Sequence, residues 1–204
     1  MDVYSIQQIL ERCVREKYLK VKEQIEEFDS TFKTIRMRIM EEYRWDKEMC
    51  EKISARGRLD CLRYAHENEF PWDKDTCYEA SKNGHLECLK YAHENGCPWE
   101  EGTCNTASKF GHLECLKYAH ENNCPWDEWS CSNASYGGQL ECLKYAHDNG
   151  CPWDEYTCSN ASYYGQLECL RYAHENGCSI NVTECLKWAN RECKEYLENL
   201  VNII

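Results

Sequence analysis

Five near-copies of one string hold most of the chemically capable side chains of this sequence: GRLDCLRYAHENEFPWD, GHLECLKYAHENGCPWE, GHLECLKYAHENNCPWD, GQLECLKYAHDNGCPWD and GQLECLRYAHENGCSIN. Cysteine and histidine are the usual ligands of structural zinc, neighbouring thiols make redox centres, and a histidine column titrates near neutral pH. Spacing argues against zinc. Cys104, Cys115, Cys124 and Cys131 are separated by ten, eight and six residues, whereas zinc sites usually show two to four residues between paired cysteines. Disulfides between equivalent cysteines of successive copies are also excluded, since packed helices lie about 8–10 Å apart and a disulfide needs Cα atoms within about 4.4–6.8 Å. A contact between columns inside one copy, such as Cys104 with Cys115, stays open, and with it a thiol-rich metal or redox protein. The reading preferred here is buried thiols acting as small hydrophobic filler, with no metal, cofactor or catalytic residue.

The elements that must position these residues follow from the period. Trp45, Trp72, Trp99, Trp126 and Trp153 step by 27 residues, as do Cys61 to Cys169, Tyr64 to Tyr172, His66 to His174, Gly57 to Gly165 and Cys50 to Cys185. Recurrence at a fixed step marks one supersecondary unit stacked on itself. Residues 45–179 therefore read as five units, residues 180–204 as a degenerate last repeat with a capping helix, and residues 1–44 as a non-repetitive helical cap.

Each unit reads as two short helices. In residues 99–125, Thr103 is the expected N-cap, and Cys104, Ala107 and Ser108 share one small-residue face. Gly111 ends the first helix. The second, from about Leu113 to Asn122, places Leu113, Leu116, Ala119 and His120 on one face, and Cys124-Pro125 forces an extended exit. Such a hairpin cannot bury its apolar face alone, so the fold class is all-α, a solenoid of stacked helix-turn-helix units. The tryptophan column is expected in the core, each indole covering the exit loop. The histidine column is expected to hydrogen-bond a neighbouring repeat or loop.

The stretch ASKFGHLECLKYAHENNC resembles the centre of an ankyrin repeat, and the variant closed by Cys-Pro-Trp-Asp is similar to repeats in ankyrin-type proteins of large DNA viruses of amoebae and algae. The resemblance covers about residues 45–190. It implies a protein-binding scaffold without catalytic residues. The unit is shorter than the usual ankyrin repeat and lacks the Thr-Pro-Leu-His signature, so binding through β-hairpin finger tips is not implied.

Between the constant columns lie the variable residues. Tyr78, Phe110, Trp129, Tyr136, Tyr156, Tyr163 and Tyr164 face away from the Cys-Ala-Ser side, on the side expected to be concave. Asp127, Glu128, Asp154 and Glu155 rim them. Aromatic anchors with an acidic rim fit a protein partner that carries Lys or Arg at its edge.

Charge narrows the partner. The formal net charge is −12, and residues 1–44 hold nine acidic and nine basic side chains, so the excess lies in the repetitive part. That disfavours nucleic acid and anionic membranes. No apolar run of membrane-spanning length and no leader-like segment is seen, which points to an intracellular protein, in the host cytoplasm or a viral factory if viral. Residues 3–43 carry apolar side chains at near-helical spacing and could mediate self-association. A structural component of a virion is the alternative to a binding scaffold.

Overall fold

In a computed structural model of the chain the described residues are 47–201, so the expected cap over residues 1–44 and the self-association surface over 3–43 lie outside them. The described residues form α1 (Lys47–Ala55), α2 (Leu59–Glu67), α3 (Lys74–Lys82), α4 (Leu86–Glu94), α5 (Glu101–Phe110), α6 (Leu113–Glu121), α7 (Glu128–Gly137), α8 (Leu140–Asp148), α9 (Glu155–Tyr163), α10 (Leu167–Glu175), α11 (Val182–Trp188) and α12 (Arg191–Val201). Odd-numbered helices are the first of each hairpin and stack in one layer. Even-numbered helices stack in the other.

The first-helix layer is the tighter one. Its contact face is built from Cys77, Ala80 and Ser81, then Cys104, Ala107 and Ser108, and so on through Cys158, Ala161 and Ser162, all fully buried. Side chains this small let backbones approach until hydroxyls reach across: Ser81 Oγ donates to the Thr103 carbonyl at 2.7 Å and Ser162 Oγ to the Cys185 carbonyl at 3.1 Å. Between the layers runs a column of fully buried leucines, Leu62, Leu89, Leu116, Leu143 and Leu170, each flanked by a buried alanine of the same helix. One leucine and one alanine per second helix is a thin core, and stacking makes it continuous.

The turn inside each hairpin shows why glycine recurs there. Gly84 has φ +73°, and a Cβ on it would come within 2.5 Å of the His112 imidazole of the next unit. That ring is held in place, because His112 Nε2 lies 3.1 Å from the Lys82 carbonyl at the end of α3. His85 does the same for the Ala55 carbonyl at 3.2 Å. In unit four Gln139 replaces the histidine, packing on Gly111 and donating to the Gly137 carbonyl at 2.8 Å.

The last hairpin departs from the period by three residues and keeps its contacts. In α12, Cys193 is fully buried, and Tyr196 Oη meets His174 Nδ1 at 2.8 Å, as Tyr172 Oη meets His147 at 3.0 Å one unit earlier. The side chain of Asn190 restarts the chain for α12 by accepting from the Cys193 amide at 2.9 Å.

Two substitutions test this packing by denaturant unfolding. Leu116→Ala should cost about 2–5 kcal/mol by opening a cavity in the column. Gly84→Ala should cost about 1–3 kcal/mol, because alanine meets both an unfavourable φ and the His112 ring.

Candidate functional site

The string that first looked like a site is a set of inter-repeat contacts. His66, His93, His120 and His147 stack on Trp72, Trp99, Trp126 and Trp153 of the following exit loops, with ring centroids 4.2, 3.6, 3.8 and 3.8 Å apart. A tyrosine of the next second helix closes each group edge-on, and its hydroxyl reaches Nδ1 at 3.1 Å (Tyr91 to His66), 2.9 Å (Tyr145 to His120) and 3.0 Å (Tyr172 to His147). The expected hydrogen bond of the histidine to a neighbouring repeat is therefore present. The tryptophans, expected in the core, are only half-buried. Each indole lies flat over an imidazole at the surface of the second-helix layer, where one face is covered and one edge stays wet.

The aspartate of Cys-Pro-Trp-Asp has a separate task. Asp73, Asp127 and Asp154 cap α3, α7 and α9, accepting from the amides of Asp75 at 3.1 Å, Trp129 at 3.1 Å and Tyr156 at 3.0 Å. Thr103, expected as the cap in its unit, lies buried inside α5, which starts after Glu100. Glu100 is one methylene too long and makes no side-chain cap bond; its carboxylate instead pairs with Lys74 at 2.6 Å. Asp127 and Asp154 are thus committed to their helix starts, and Glu128 and Glu155 beside them are the exposed acids of the expected rim.

The variable aromatics fall into two clusters on the first-helix layer. At its N-terminal edge Trp129 and Tyr156 stack with centroids 6.1 Å apart. At its C-terminal edge Tyr136 packs on Tyr164 at 4.1 Å, Tyr164 on Tyr163 at 4.8 Å, and Tyr163 on Trp188 at 6.1 Å. Phe110, Trp129, Tyr156, Tyr163 and Tyr164 expose 46, 50, 53, 53 and 44% of their surface. Tyr78 and Tyr136 are half-buried; Tyr78 lies against Gly102, and the Lys109 ammonium sits 4.1 Å from the Tyr136 ring centre and 5.8 Å from that of Phe110. Trp188, 62% exposed, is a member that sequence reasoning missed. It lines one shallow groove with Tyr156, Tyr163, Glu155 and Glu184. A second groove joins Tyr78 and Trp129 to Asp75, Glu100 and Glu101.

The cysteines are free thiols among the described residues, and all but Cys61 are buried. Burial pushes Cys50, Cys115 and Cys169 up to about 12 and Cys88 and Cys142 up to about 11, so these groups stay protonated and inert. Contact between cysteine columns does occur inside a unit. Cys104 meets Cys124 of its own exit loop, and the relation repeats as Cys77 with Cys97, Cys131 with Cys151 and Cys158 with Cys178. One group of three carboxylates, Glu51, Asp73 and Asp75, lies within 4.8 Å, and Asp73 there is the α3 cap.

Comparison with known proteins bears on the architecture. No protein-family model matches the chain, and no curated protein matches it. Among solved structures, the human ASB11 ankyrin repeat domain superposes with a TM-score of 0.63 at 18% identity, covering 74% of this chain and 82% of that one. The fold is an ankyrin-repeat solenoid. Among the described residues it has no strands, so the β-hairpin fingers are replaced here by the extended Cys-Pro-Trp-Asp exits, and no helix is long and apolar enough to cross a membrane.

The caps supply a test specific to these exits. Glu100→Asp should stabilise the chain by about 0.5–1 kcal/mol by completing the missing cap, and Asp127→Ala should cost about 1 kcal/mol. Both changes are read from denaturation midpoints. The half-exposed Lys74 pair lost in the first variant is worth less than the cap gained.

Proposed function

We propose that the chain is a non-catalytic scaffold that binds a protein partner through the variable face of its first-helix layer. The observation that carries this reading is the row of large aromatic side chains left half-exposed there, at Phe110, Trp129, Tyr156, Tyr163, Tyr164 and Trp188. A solenoid that hides its leucines, alanines and cysteines completely gains nothing from exposed indole and phenol rings unless something covers them.

The partner's contacting surface is basic. Glu128 and Glu155 border the Trp129–Tyr156 stack, and the chain's net charge of −12 attracts cations and repels nucleic acid and anionic lipid. Lys109 over Tyr136 shows within the chain the contact that a partner's Lys or Arg would make on the neighbouring rings. The similarity of the Cys-Pro-Trp-Asp repeats to those of large DNA viruses supports a viral protein acting on host or viral proteins.

Crosslinking and capture from the native cell test the reading. Trp129→Ala combined with Tyr163→Ala should leave the helical circular dichroism unchanged, since both rings are exposed, and should reduce capture of a specific partner by a factor of about 30 or more, two anchors of typical strength. An unchanged set of captured proteins would place binding elsewhere.

A further inference from the structure

The cations of the first-helix layer are unevenly placed. α3 carries Lys74 and Lys82 and α5 carries Lys109, whereas α7 and α9 carry no basic residue. Each of the three is engaged within the chain. Lys74 pairs with Glu100 at 2.6 Å, Lys82 bridges the Glu79 carboxylate at 2.8 Å and the Tyr78 ring centre at 5.7 Å, and Lys109 lies 4.1 Å from the ring centre of Tyr136. The rings beyond them have no such partner. Tyr156, Tyr163, Tyr164 and Trp188 are exposed, and among the described residues no cation lies over any of them.

Three of these rings, Tyr156, Tyr163 and Trp188, line the groove between α9 and α11 together with Glu155 and Glu184. Tyr163 and Trp188 have centroids 6.1 Å apart and are tilted by 54°, so they meet at an angle and leave ring faces uncovered. Glu184 is taken by Lys187 at 2.5 Å, whereas the exposed Glu155 has no ion pair among the described residues. Asn160 adds an acceptor. It gives an amide hydrogen to the Ser132 carbonyl at 3.4 Å, which leaves its Oδ1 for a donor.

Resting on the reading that the first-helix face binds a protein, we propose that the groove between α9 and α11 seats an arginine side chain from a basic segment of the partner. A guanidinium is planar and weakly hydrated, so it can lay one face on the Tyr163 or Trp188 ring while its N–H edge donates to the Glu155 carboxylate. Lys82 makes the same pair of contacts inside the chain, to a ring and a carboxylate of its own helix.

Other occupants fit the groove less well. An acidic segment would meet Glu155 and Glu184, and an apolar one would bury the Glu155 carboxylate without a counter-charge. A lysine would reach the same groups as a point charge, and its ammonium gives up a more strongly held hydration shell. The net charge of −12 draws a cationic segment toward the face.

Titration of the full chain with acetyl-Gly-Arg-Gly-amide and with its lysine counterpart, followed by nuclear magnetic resonance, tests the seat without the native partner. The arginine peptide should shift the Trp188 indole and the ring signals of Tyr156 and Tyr163, and should bind about threefold or more tighter than the lysine peptide. Trp188→Ala and Glu155→Gln should each weaken it about threefold to fivefold with helical circular dichroism unchanged. Glu168→Gln, which removes a charge from the second-helix layer, should leave it as it is. Equal affinity for the two peptides, shifts spread evenly over all seven tryptophans, no shift at the highest soluble concentration, or undiminished binding to Trp188→Ala would overturn the proposal. Capture from the native cell separates the seat from the broader reading. Peptide binding absent while Trp129→Ala with Tyr163→Ala still loses the partner would remove only the arginine seat, and peptide binding present while capture is unchanged would remove only the scaffold.

Discussion

A two-helix unit of 27 residues has one apolar face and only its neighbours to cover it. Leu116 and Ala119 of α6 are fully buried because units lie on both sides, and the same holds along the leucine column. Most of what is constant in the repeat serves that stacking. Small residues bring first helices together, glycine makes room for the next unit's histidine or glutamine, and the His–Trp–Tyr groups tie second helices to exit loops. Stability of this kind is a sum of unit and interface contributions, so a residue that repeats in every unit is first of all an interface residue.

That constraint sorts the side chains by what they are free to do. Histidine 120 stacked on Trp126 and bonded to Tyr145 is occupied on a face and an edge, and a metal ion would have to displace one of those contacts. The second-helix cysteines Cys115 and Cys169 are raised by burial and stay protonated. Asp127 spends its carboxylate on a helix start. Residues that differ between units have no such duty, and the large exposed aromatics are found there, at positions 110, 129, 156, 163 and 164.

Much of this was legible in the sequence because the repeat amplifies weak signals. A single Gly-x-Leu-Glu is ambiguous; five such turns at one step, one of them with Asp for Glu, show hairpin, turn and buried face together. What escaped depends on distances that spacing does not encode. Thr103 and Glu100 both precede an apolar run, and only the start of α5 distinguishes cap from core. Tryptophan was expected inside because it is large and apolar, yet the leucine and alanine columns already fill the space between the layers, so the indole lies outside on the imidazole. Cys124 pairs with Cys104 across twenty residues because the exit loop folds back over its own first helix. Trp188 escaped because it sits in the last hairpin, which breaks the period and reads as a degenerate repeat with a capping helix.

The central claim is that constant columns build the solenoid and the variable first-helix face meets the partner. Hydrogen–deuterium exchange of the chain with and without a captured partner tests it most directly. The account predicts added protection in α7, α9 and α11, with exchange unchanged along the His–Trp–Tyr rows of α4, α6, α8 and α10. Protection concentrated on those second helices, with α7 to α11 first helices unaffected, would contradict it.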